Sequence, residues 1–523
     1  MKSGKAALIS AFVVGGGQIC SGRLWAGISF AVLFYGSIVI MIRIWTGFNS
    51  GFWGLLAAWV LVWLYNVYDA YKGVGYERPP CEKACPAGIA PWIYVNLVAA
   101  DNSQPYSFVP FFRILGLICP APCEDQCTRR GIDAAVAIRY LKSGVKMQVP
   151  TPKPKTKKER IAVIGAGPCG LTAAYYLVNK GYGVTVFERE KKPGGVLATL
   201  IPEFRLPQSL LDKEIEAAVN VGVELKYGVA VGKDLSMAEL LGTYDIIFVA
   251  TGAWKPTKLG IPGEEMAMVG FDILRQIKKG EEFKLGKIGV IGGGNTAIDI
   301  ARSLIRQGNE VKIYYRRRIE DMPAEHEDRV EAQEEGIEIV PLTVPLKIEE
   351  NRVIMQKTEY REGRKGAVEA IQGSEFDVDL DHIVMAIGQC PDTDFLKKYL
   401  KSDTSGRIKT KNWRTSHPKI FAGGDAVLGS KTVAHAVGHG LNAAEQIDLY
   451  IRGIHPLFAR ILKRTYYPHV FSLPLHPVER MVIPHREVED RIHDFKEVEL
   501  KASKDELKKE ATRCLSCPLR YRP

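Results

Sequence analysis

The stretch that decides the fold is Gly165-Ala-Gly167-Pro-Cys-Gly170, which directly follows the apolar run Ile161–Ile164. A run of β-branched residues favours a strand, and the residues after Gly170 favour a helix. A glycine-rich turn between a strand and a helix lets the backbone approach a pyrophosphate, whose charge the amino end of the helix stabilises. The stretch therefore predicts a dinucleotide-binding turn.

A second turn of the same kind, Gly292-Gly-Gly294-Asn-Thr-Ala297, follows the apolar run Ile288–Ile291. Two such turns predict two nucleotides bound side by side, with electron transfer between them. We therefore predict an α/β fold with two dinucleotide-binding, Rossmann-like domains. At 523 residues the chain is long enough for about three domains.

The two predicted units differ in charge where their second strand ends. In the first unit this strand ends in Glu188, whose carboxylate can accept hydrogen bonds from ribose hydroxyls. In the second unit it runs into Arg316-Arg317-Arg318. Guanidinium groups bind a 2′-phosphate in bidentate fashion, whereas a carboxylate would repel it. The second unit is therefore predicted to prefer NADP(H) over NAD(H).

The amino-terminal segment has the composition of membrane helices. Trp25–Ile42 contains no charged residue, and a second uncharged stretch follows Arg43 as far as Tyr68. Each approaches the roughly 20 residues that cross a bilayer, and basic residues flank both outer ends. We predict a two-helix transmembrane hairpin, with both termini and the redox domains in the cytoplasm. A signal peptide centred on Ala6–Val14 and a pair of buried soluble helices are the alternatives.

Charge excludes one class of partner. The net charge of +11 is modest for this length, so we expect no nucleic-acid partner. The most basic run, residues 153–160, is rich in proline and lysine and is expected to be a solvated linker, with contact to anionic lipid as the alternative.

Seven of the ten cysteines fall into two groups. The first group is Cys81, Cys85, Cys119, Cys123 and Cys127, and the second is Cys514 and Cys517. In a cytoplasmic protein such grouping favours metal over disulfides, and thiolates are the usual ligands of iron–sulfur clusters. Zinc is the alternative, although this spacing suits zinc ribbons poorly. The remaining Cys20, Cys169 and Cys390 are expected to be structural, so thiol–disulfide chemistry is not expected.

Two segments around these cysteines carry a family resemblance. Pro80-Cys-Glu-Lys-Ala-Cys-Pro86 and Cys119-Pro-Ala-Pro-Cys-Glu124 resemble the iron–sulfur domain of the glutamate synthase small (β) subunit, to which the NADPH-binding part of dihydropyrimidine dehydrogenase is related. The resemblance covers roughly residues 80–523 and implies two [4Fe-4S] clusters. It assigns to the first cluster Cys85, Cys119, Cys123 and Cys127.

The second cluster requires a permuted segment. Glu510–Cys517 resembles a stretch that in this family precedes the first cysteines, so the resemblance implies that Cys514, Cys517 and Cys81 hold the second cluster. The family has a Glu or Gln as the fourth ligand of this cluster. Lys142 aligns with that position, and an ammonium cannot ligate iron.

The resemblance also assigns the nucleotide sites. The residues expected to bind FAD are Gly165, Gly167, Gly170, Glu188, Gly195, Arg205, Thr251, Gly252, Gly424, Asp425, Thr432 and Val433. Those expected in the NADP(H) unit are Gly292, Gly294, Asn295, Thr296, Arg316, Arg317 and Gly388. No catalytic side chain is expected, because hydride passes directly from nicotinamide to flavin. His435 and His439 are expected to pack rather than bind metal, and residues 325–328 to be solvated.

The expected organisation places the NADP(H) domain inside the FAD domain. The predicted segments are a transmembrane hairpin (1–72), a helical iron–sulfur domain (73–152), the first part of the FAD domain (153–264), the NADP(H)-binding domain (265–380), the second part of the FAD domain (381–455) and a tail that completes an iron–sulfur site (456–523).

The combined pattern predicts a membrane-anchored, NADPH-dependent oxidoreductase that passes electrons through FAD and the clusters to a partner. That partner would be a large glutamate synthase-like subunit, a ferredoxin or a quinone. One alternative is a stand-alone NAD(P)H:ferredoxin or quinone reductase. Another is a redox-sensing membrane scaffold without turnover.

Overall fold

The computed structural model describes residues 60–61, 63–65, 78–101, 104–350, 352–361, 366–454 and 476–517. The larger of two compact units spans Pro80–Leu515. The smaller unit includes residues 60, 61 and 63–65, which are helical.

Helices occur at both ends of the larger unit and around its sheets. They are α1 (Pro80–Ala84), α2 (Pro91–Ala99), α3 (Ile114–Ile118), α4 (Pro122–Asp125), α5 (Pro168–Asn179), α6 (Val196–Thr199), α7 (Gln208–Val219), α8 (Met237–Thr243), α9 (Gly270–Ile277), α10 (Asn295–Ile305), α11 (His326–Glu334), α12 (Asp425–Leu428), α13 (Val433–Ile451), α14 (Val488–Arg491) and α15 (Lys504–Ala511).

The strands lie between the two helical ends. They are β1 (Arg160–Ile164), β2 (Gly183–Glu188), β3 (Glu224–Tyr227), β4 (Ile246–Val249), β5 (Lys255–Pro256), β6 (Met268–Val269), β7 (Lys287–Ile291), β8 (Glu310–Tyr314), β9 (Glu338–Val340), β10 (Thr343–Glu349), β11 (Arg352–Tyr360), β12 (Val368–Asp379), β13 (His382–Met385), β14 (Gln389–Cys390) and β15 (Ile420–Ala422).

The first glycine-rich turn leaves a parallel sheet with the strand order β15-β4-β1-β2-β3. Ile161 of β1 pairs with Val184 on one side and Ile246 on the other. Every residue of β1 after Arg160 is buried, as expected for a parallel strand covered by helices on both faces. The edge strand β15 comes from much later in the chain than its neighbour β4.

The second turn leaves another parallel sheet, ordered β6-β13-β7-β8-β9. Helix α10 follows β7 as α5 follows β1. An antiparallel sheet, β10-β11-β12, lies in sequence between β9 and β13. Where the chain passes between the two parallel sheets, β5 pairs with β14. The predicted α/β fold with two dinucleotide-type sheets is confirmed.

Helix α13 lies between α5 and the segment that carries Cys85, because two glycines allow close approach. A Cβ atom at Gly438 would lie 1.8 Å from the carbonyl oxygen of Pro86. A Cβ atom at Gly440 would lie 2.3 Å from the carbonyl oxygen of Cys169 in α5. The same helix therefore contacts the first cysteine group and the first dinucleotide turn.

The carboxyl-terminal segment is fastened to the first cysteine group by buried ion pairs. Arg513 pairs with Glu510 at 2.6 Å and with Asp133 at 2.9 Å. Asp133 also pairs with Arg129 at 2.5 Å, and the side chains of Arg129 and Arg513 are almost fully buried. Breaking one such pair leaves an uncompensated buried charge at a cost of about 3–5 kcal/mol. Residues 476–515 are therefore a fixed part of the larger unit.

The predicted membrane localisation is wrong. Among the residues that the structure describes, no helix is long and apolar enough to cross a bilayer. Even α13, the longest described helix, carries His435, His439, Glu445 and Asp448. A spanning segment must be apolar over about 20 residues, because lipid offers polar groups no partners. The two expected spans, Trp25–Ile42 and 44–68, lie almost entirely outside the described residues.

Candidate functional site

A cleft opens at the carboxyl ends of β1, β2, β4 and β15. Ligands of open parallel sheets bind at this edge. Ten of the residues expected to bind FAD line it: Gly165, Gly167, Glu188, Gly195, Thr251, Gly252, Gly424, Asp425, Thr432 and Val433. Gly170 and Arg205 are not among its lining residues.

The first turn needs glycine for two different reasons. Gly165 has φ +103°, and a Cβ atom there would lie 2.5 Å from the carbonyl oxygen of Ala250. A Cβ atom at Gly170 would lie 2.0 Å from the carbonyl oxygen of Gly165. Gly170 thus lets helix α5 approach the turn, which explains why it does not line the cleft.

Glu188 holds the turn from the end of β2. Its carboxylate is buried and accepts hydrogen bonds from the backbone N–H groups of Ala166 at 2.7 Å and Glu190 at 2.9 Å. Each carboxylate oxygen uses one acceptor position in this way and keeps capacity for a ribose hydroxyl. The residue therefore shapes the turn and faces the cleft.

Asp425 lies on the opposite side of the cleft, at the start of α12, which follows β15. Burial raises the pKa of its carboxyl to about 7, against the lowering effect of the Lys431 backbone N–H and ammonium. Cys169 lies nearby, and burial raises the pKa of its thiol. A buried thiol with a raised pKa is unreactive, and the sequence has no other cysteine between Cys127 and Cys390.

Trp254 is a lining residue that the sequence analysis missed. Its indole nitrogen donates to the carbonyl oxygen of Thr251 at 2.8 Å. The guanidinium groups of Arg189 and Arg275 lie 5.0 and 5.5 Å from its ring centroid. One signal was available in the sequence. Trp254 follows Thr251 by three positions, and Thr251 is expected to bind FAD.

The second turn has a similar backbone with more open space. Gly292 has φ +149°, and a Cβ atom there would lie 2.3 Å from the carbonyl oxygen of Ala386. Gly294 caps α10, and no atom lies within 4 Å of a Cβ built on it. Asn295 accepts from the backbone N–H of Glu325 at 2.9 Å, and Thr296 follows in the first turn of α10.

The three arginines after β8 have different surroundings. Arg318 pairs with Asp321 at 3.4 Å and lies over the ring of Tyr360. Arg316 is exposed and Arg317 half-buried, and neither forms an ion pair within the described part of the chain. Gly388, with φ +108°, lies where the chain leaves β13, and its carbonyl accepts from Thr257 N–H at 3.1 Å.

Arg205 connects the two nucleotide units instead of lining the cleft. Its guanidinium pairs with Asp299 of α10 at 2.8 Å and Asp328 of α11 at 2.7 Å. The expectation that residues 325–328 are solvated is therefore wrong for Asp328, whose side chain is only 14% exposed. These ion pairs hold the segment after α6 against helices α10 and α11, which belong to the domain of the second glycine-rich turn.

Three cysteines line a second, smaller cavity. Cys85, Cys119 and Cys123 share it with Tyr94, Lys142 and Ala434. Burial raises the pKa of the Cys85 and Cys123 thiols, and the Lys142 ammonium acts in the opposite direction. Cys127, expected in the same ligand set, does not line this cavity.

The cavity is not a preformed site for a single ion. Within the described ranges, no three Cys, His, Asp or Glu side chains are placed to hold one. An iron–sulfur cluster is larger than an ion and takes thiolates from separate segments around its corners. The donor chemistry of Cys85, Cys119 and Cys123 fits such a group.

Lys142 lies at this cavity, although the sequence alignment placed it at the fourth-ligand position of the second cluster. Its side chain is buried, with the ammonium 3.5 Å from the carbonyl oxygen of Leu115 and 5.6 Å from the ring centroid of Tyr94. The short 3₁₀ turn Tyr140–Gly144 carries it there.

The remaining cysteines of the two groups do not line this cavity. Cys81 lies in α1, and Cys514 follows α15. The side chain of Arg129, two residues after Cys127, donates to the carbonyl oxygen of Arg513 at 3.4 Å. The backbone next to Cys514 therefore lies beside the turn after Cys127. Cys517 belongs to the smaller unit.

Two parallel sheets, each opening on a glycine-rich turn, define the class of oxidoreductases that bind two dinucleotides. The sequence profile described as Pyridine nucleotide-disulphide oxidoreductase matches residues 159–440, and the chain belongs to this family. The prediction of an NAD(P)H-dependent oxidoreductase is confirmed.

Similar proteins include subunits of larger enzymes. The NADP(+)-dependent formate dehydrogenase subunit beta of Moorella thermoacetica is 34% identical over 72% of this chain and 60% of its own length. The NADPH-Fe(3+) oxidoreductase subunit beta of Geobacter sulfurreducens is 30% identical over 86% of this chain and 76% of its own length. The Glutamate synthase [NADPH] small chain of Escherichia coli is 33% identical over 71% and 88%. The chain thus spans less than two thirds of the Moorella protein.

A solved structure supports the fold alone. FprA from Mycobacterium tuberculosis, solved in complex with NADPH, is 18% identical and superposes with a TM-score of 0.51. The match covers 59% of this chain and 88% of FprA.

Proposed function

We propose that this chain is an NADPH-dependent oxidoreductase that holds FAD in the cleft and an iron–sulfur cluster at Cys85, Cys119 and Cys123. We further propose that it delivers electrons to a partner subunit. The observation that carries the proposal is the start of helix α13. Val433 lines the cleft, and the next residue, Ala434, lines the thiol cavity.

The charge at the two strand ends supports the choice of nucleotides. Glu188 would accept hydrogen bonds from the ribose of FAD, as its place at the end of β2 favours. Arg316 and Arg317 have no carboxylate partner in the described chain and would bind the 2′-phosphate of NADPH. The names of similar proteins point both ways, since two carry NADPH and one NADP(+) but a dihydropyrimidine dehydrogenase subunit of Escherichia coli is named NAD-dependent, so the preference rests on the arginines.

The residues of the cleft bind and orient rather than transfer protons. Gly165 and Gly167 allow backbone contact with a pyrophosphate, and Asp425 supplies a polar group opposite Glu188. FAD held by these residues would supply hydride acceptance and one-electron release. No general acid or base is required, so the protein contributes alignment and exclusion of water.

We base the proposed cluster ligands on which cysteines line the smaller cavity. Cys85, Cys119 and Cys123 supply three thiolates to the first cluster. We assign Cys127 to the second cluster, with Cys81 and Cys514. The contact of Arg129 with the Arg513 carbonyl supports this grouping.

A partner is expected because two of the similar proteins are named as beta subunits and a third as a small chain. The clusters would carry electrons from the flavin to that subunit. A large glutamate synthase-like subunit and a ferredoxin are the candidate acceptors.

The test is anaerobic reduction of the purified chain and of a Cys85→Ser/Cys119→Ser/Cys123→Ser variant. The wild type should contain FAD, iron and sulfide. The triple variant should contain less iron and lack one reduced-cluster EPR signal, while NADPH still bleaches its flavin. Cys390→Ser, outside both cavities, is the matched control and should behave as the wild type. Unchanged iron content and EPR signals in the triple variant would refute the cluster assignment.

A further inference from the structure

Lys142 is a buried cation without a carboxylate partner. The residue is 5% exposed, and no Asp or Glu of the described residues forms an ion pair with it. Its recorded polar contacts are the Leu115 carbonyl oxygen at 3.5 Å and the face of the Tyr94 ring. Both are weak compensation for an ammonium removed from water.

The other charged groups of this region are engaged elsewhere. Glu124, next to Cys123, pairs with Arg480 at 2.7 Å. Glu214 of α7 accepts backbone hydrogen bonds from residues 111–113, which precede α3. The groups that remain near Lys142 are the thiols of Cys85, Cys119 and Cys123.

The charge of a bound cluster would complement Lys142. Three thiolates around a four-iron core leave a net negative charge, and reduction adds one more electron to it. In a cavity with low dielectric constant, a nearby fixed cation stabilises the reduced form more than the oxidised form. The ammonium would therefore favour electron entry.

We propose that Lys142 is the counter-charge of the cluster at Cys85, Cys119 and Cys123 and raises the reduction potential of that cluster. This inference rests on the proposed function, since it requires a cluster in the cavity. Lys142 acts through the cluster and does not itself ligate iron. It makes the cavity next to α13 an acceptor for electrons from the cleft.

The experiment compares Lys142→Met and Lys142→Arg in EPR-monitored redox titrations of the anaerobic protein. Lys142→Met should shift the one-electron equilibrium of this cluster at least about tenfold toward the oxidised form, which corresponds to about 59 mV. The flavin potential should not change. Lys142→Arg keeps the charge and should keep the wild-type potential and g-values.

A matched control removes a positive charge elsewhere. Lys180→Met leaves Asp448 paired with Lys157 at 2.9 Å, outside the thiol cavity, and should not shift the cluster potential. An unchanged potential in Lys142→Met would overturn the inference. Changed g-values in Lys142→Arg would also overturn it, because they would indicate that the lysine amine is an iron ligand.

The remaining outcomes are also decisive. If Lys142→Met fails to assemble the cluster, Lys142→Arg decides: a wild-type potential supports the counter-charge, and a missing cluster overturns it. Wild-type protein without iron and sulfide would refute the proposed function itself. A wild-type cluster that does not respond to Lys142→Met would refute only the role of the lysine.

Discussion

The two parallel sheets have the same number of strands and the same central glycine-rich turn, and they differ in the charge at the end of the next strand. Each has five strands, and each leaves its central strand through a glycine with positive φ, Gly165 or Gly292. The next strand of the first sheet ends in Glu188, which is buried and bound to the turn. That of the second sheet is followed by Arg316, which is exposed.

This difference separates what makes a dinucleotide site from what selects its occupant. The turns are constrained by backbone: a Cβ atom at either glycine would lie within 2.5 Å of a carbonyl oxygen. Selection depends on the charge at the strand end, because a carboxylate suits a free ribose and a guanidinium suits a 2′-phosphate. A change at a turn should therefore remove a site, whereas a change at a strand end should alter specificity.

The largest effects are expected from Gly165→Ala and Gly292→Ala. Positive φ and the clash with a carbonyl should together weaken nucleotide binding by more than about tenfold. Gly165→Ala should lose flavin, measured by absorbance after purification. Gly292→Ala should keep flavin and lose its reduction by NADPH.

Gly242→Ala is the matched control, because no atom lies within 4 Å of a Cβ built in this helix. It should retain flavin and NADPH reduction. The comparison of the sheets would fail if Gly292→Ala lost flavin as completely as Gly165→Ala.

The double variant Arg316→Ser/Arg317→Ser should weaken NADPH binding by about 100-fold or more and leave NADH binding nearly unchanged. Hydrogen bonds between charged groups contribute about 1.5–3 kcal/mol each, and two of them are removed. Dissociation constants from flavin-reduction titrations measure the effect. Arg318→Ser, whose native partner is Asp321, is the control. Equal losses for both nucleotides would contradict the assignment.

Gly438→Ala should leave both nucleotide sites intact and impair transfer out of the cleft. Its Cβ atom would lie 1.8 Å from the Pro86 carbonyl oxygen, so the Cys85 segment must move away from α13. Rapid-freeze EPR should show slower cluster reduction while flavin reduction by NADPH keeps its rate. Equal slowing of both steps would indicate general disruption instead.

The smallest expected effect is on the pH dependence of the free energy of unfolding. Asp425, which lies in the first nucleotide site, should make that site contribute to this dependence. Its folded pKa of about 7 lies above the unfolded value, so its stabilising contribution is complete at low pH and is lost as pH rises through 7. Without nucleotide, Asp425→Asn should remove this dependence. The melting temperature of the variant relative to the wild type should rise by a few degrees between pH 5 and pH 8. A difference independent of pH would contradict the raised pKa.

Sequence pattern was sufficient for features that are local in the chain. The glycine turns and the strand-end residues are each defined by neighbours within one strand–turn–helix unit, and the structure places ten of the residues expected to bind FAD around one cleft. Arg205 shows the limit of such reasoning. Its segment was identified, but its partners Asp299 and Asp328 lie about 100 residues away.

The cysteine groups could not be sorted from spacing. Cys123 and Cys127 are four residues apart, which would place them on one face of a continuous helix. Helix α4 ends at Asp125, however, so Cys127 leaves the cavity that Cys123 lines. Alignment likewise placed Lys142 at a ligand position of the second cluster, whereas the structure places it at the cavity of Cys85, Cys119 and Cys123, among neighbours from α2, α3 and α4. The membrane prediction was wrong on the evidence of the described helices.

The most direct test is a single anaerobic addition of NADPH to the purified wild-type chain, with flavin absorbance and EPR recorded on the same sample. If electrons pass from the cleft across the start of α13 to the thiol cavity, the flavin band bleaches and the signal of a reduced iron–sulfur cluster appears. Flavin that bleaches fully while a cluster present in the same protein stays oxidised would contradict this path.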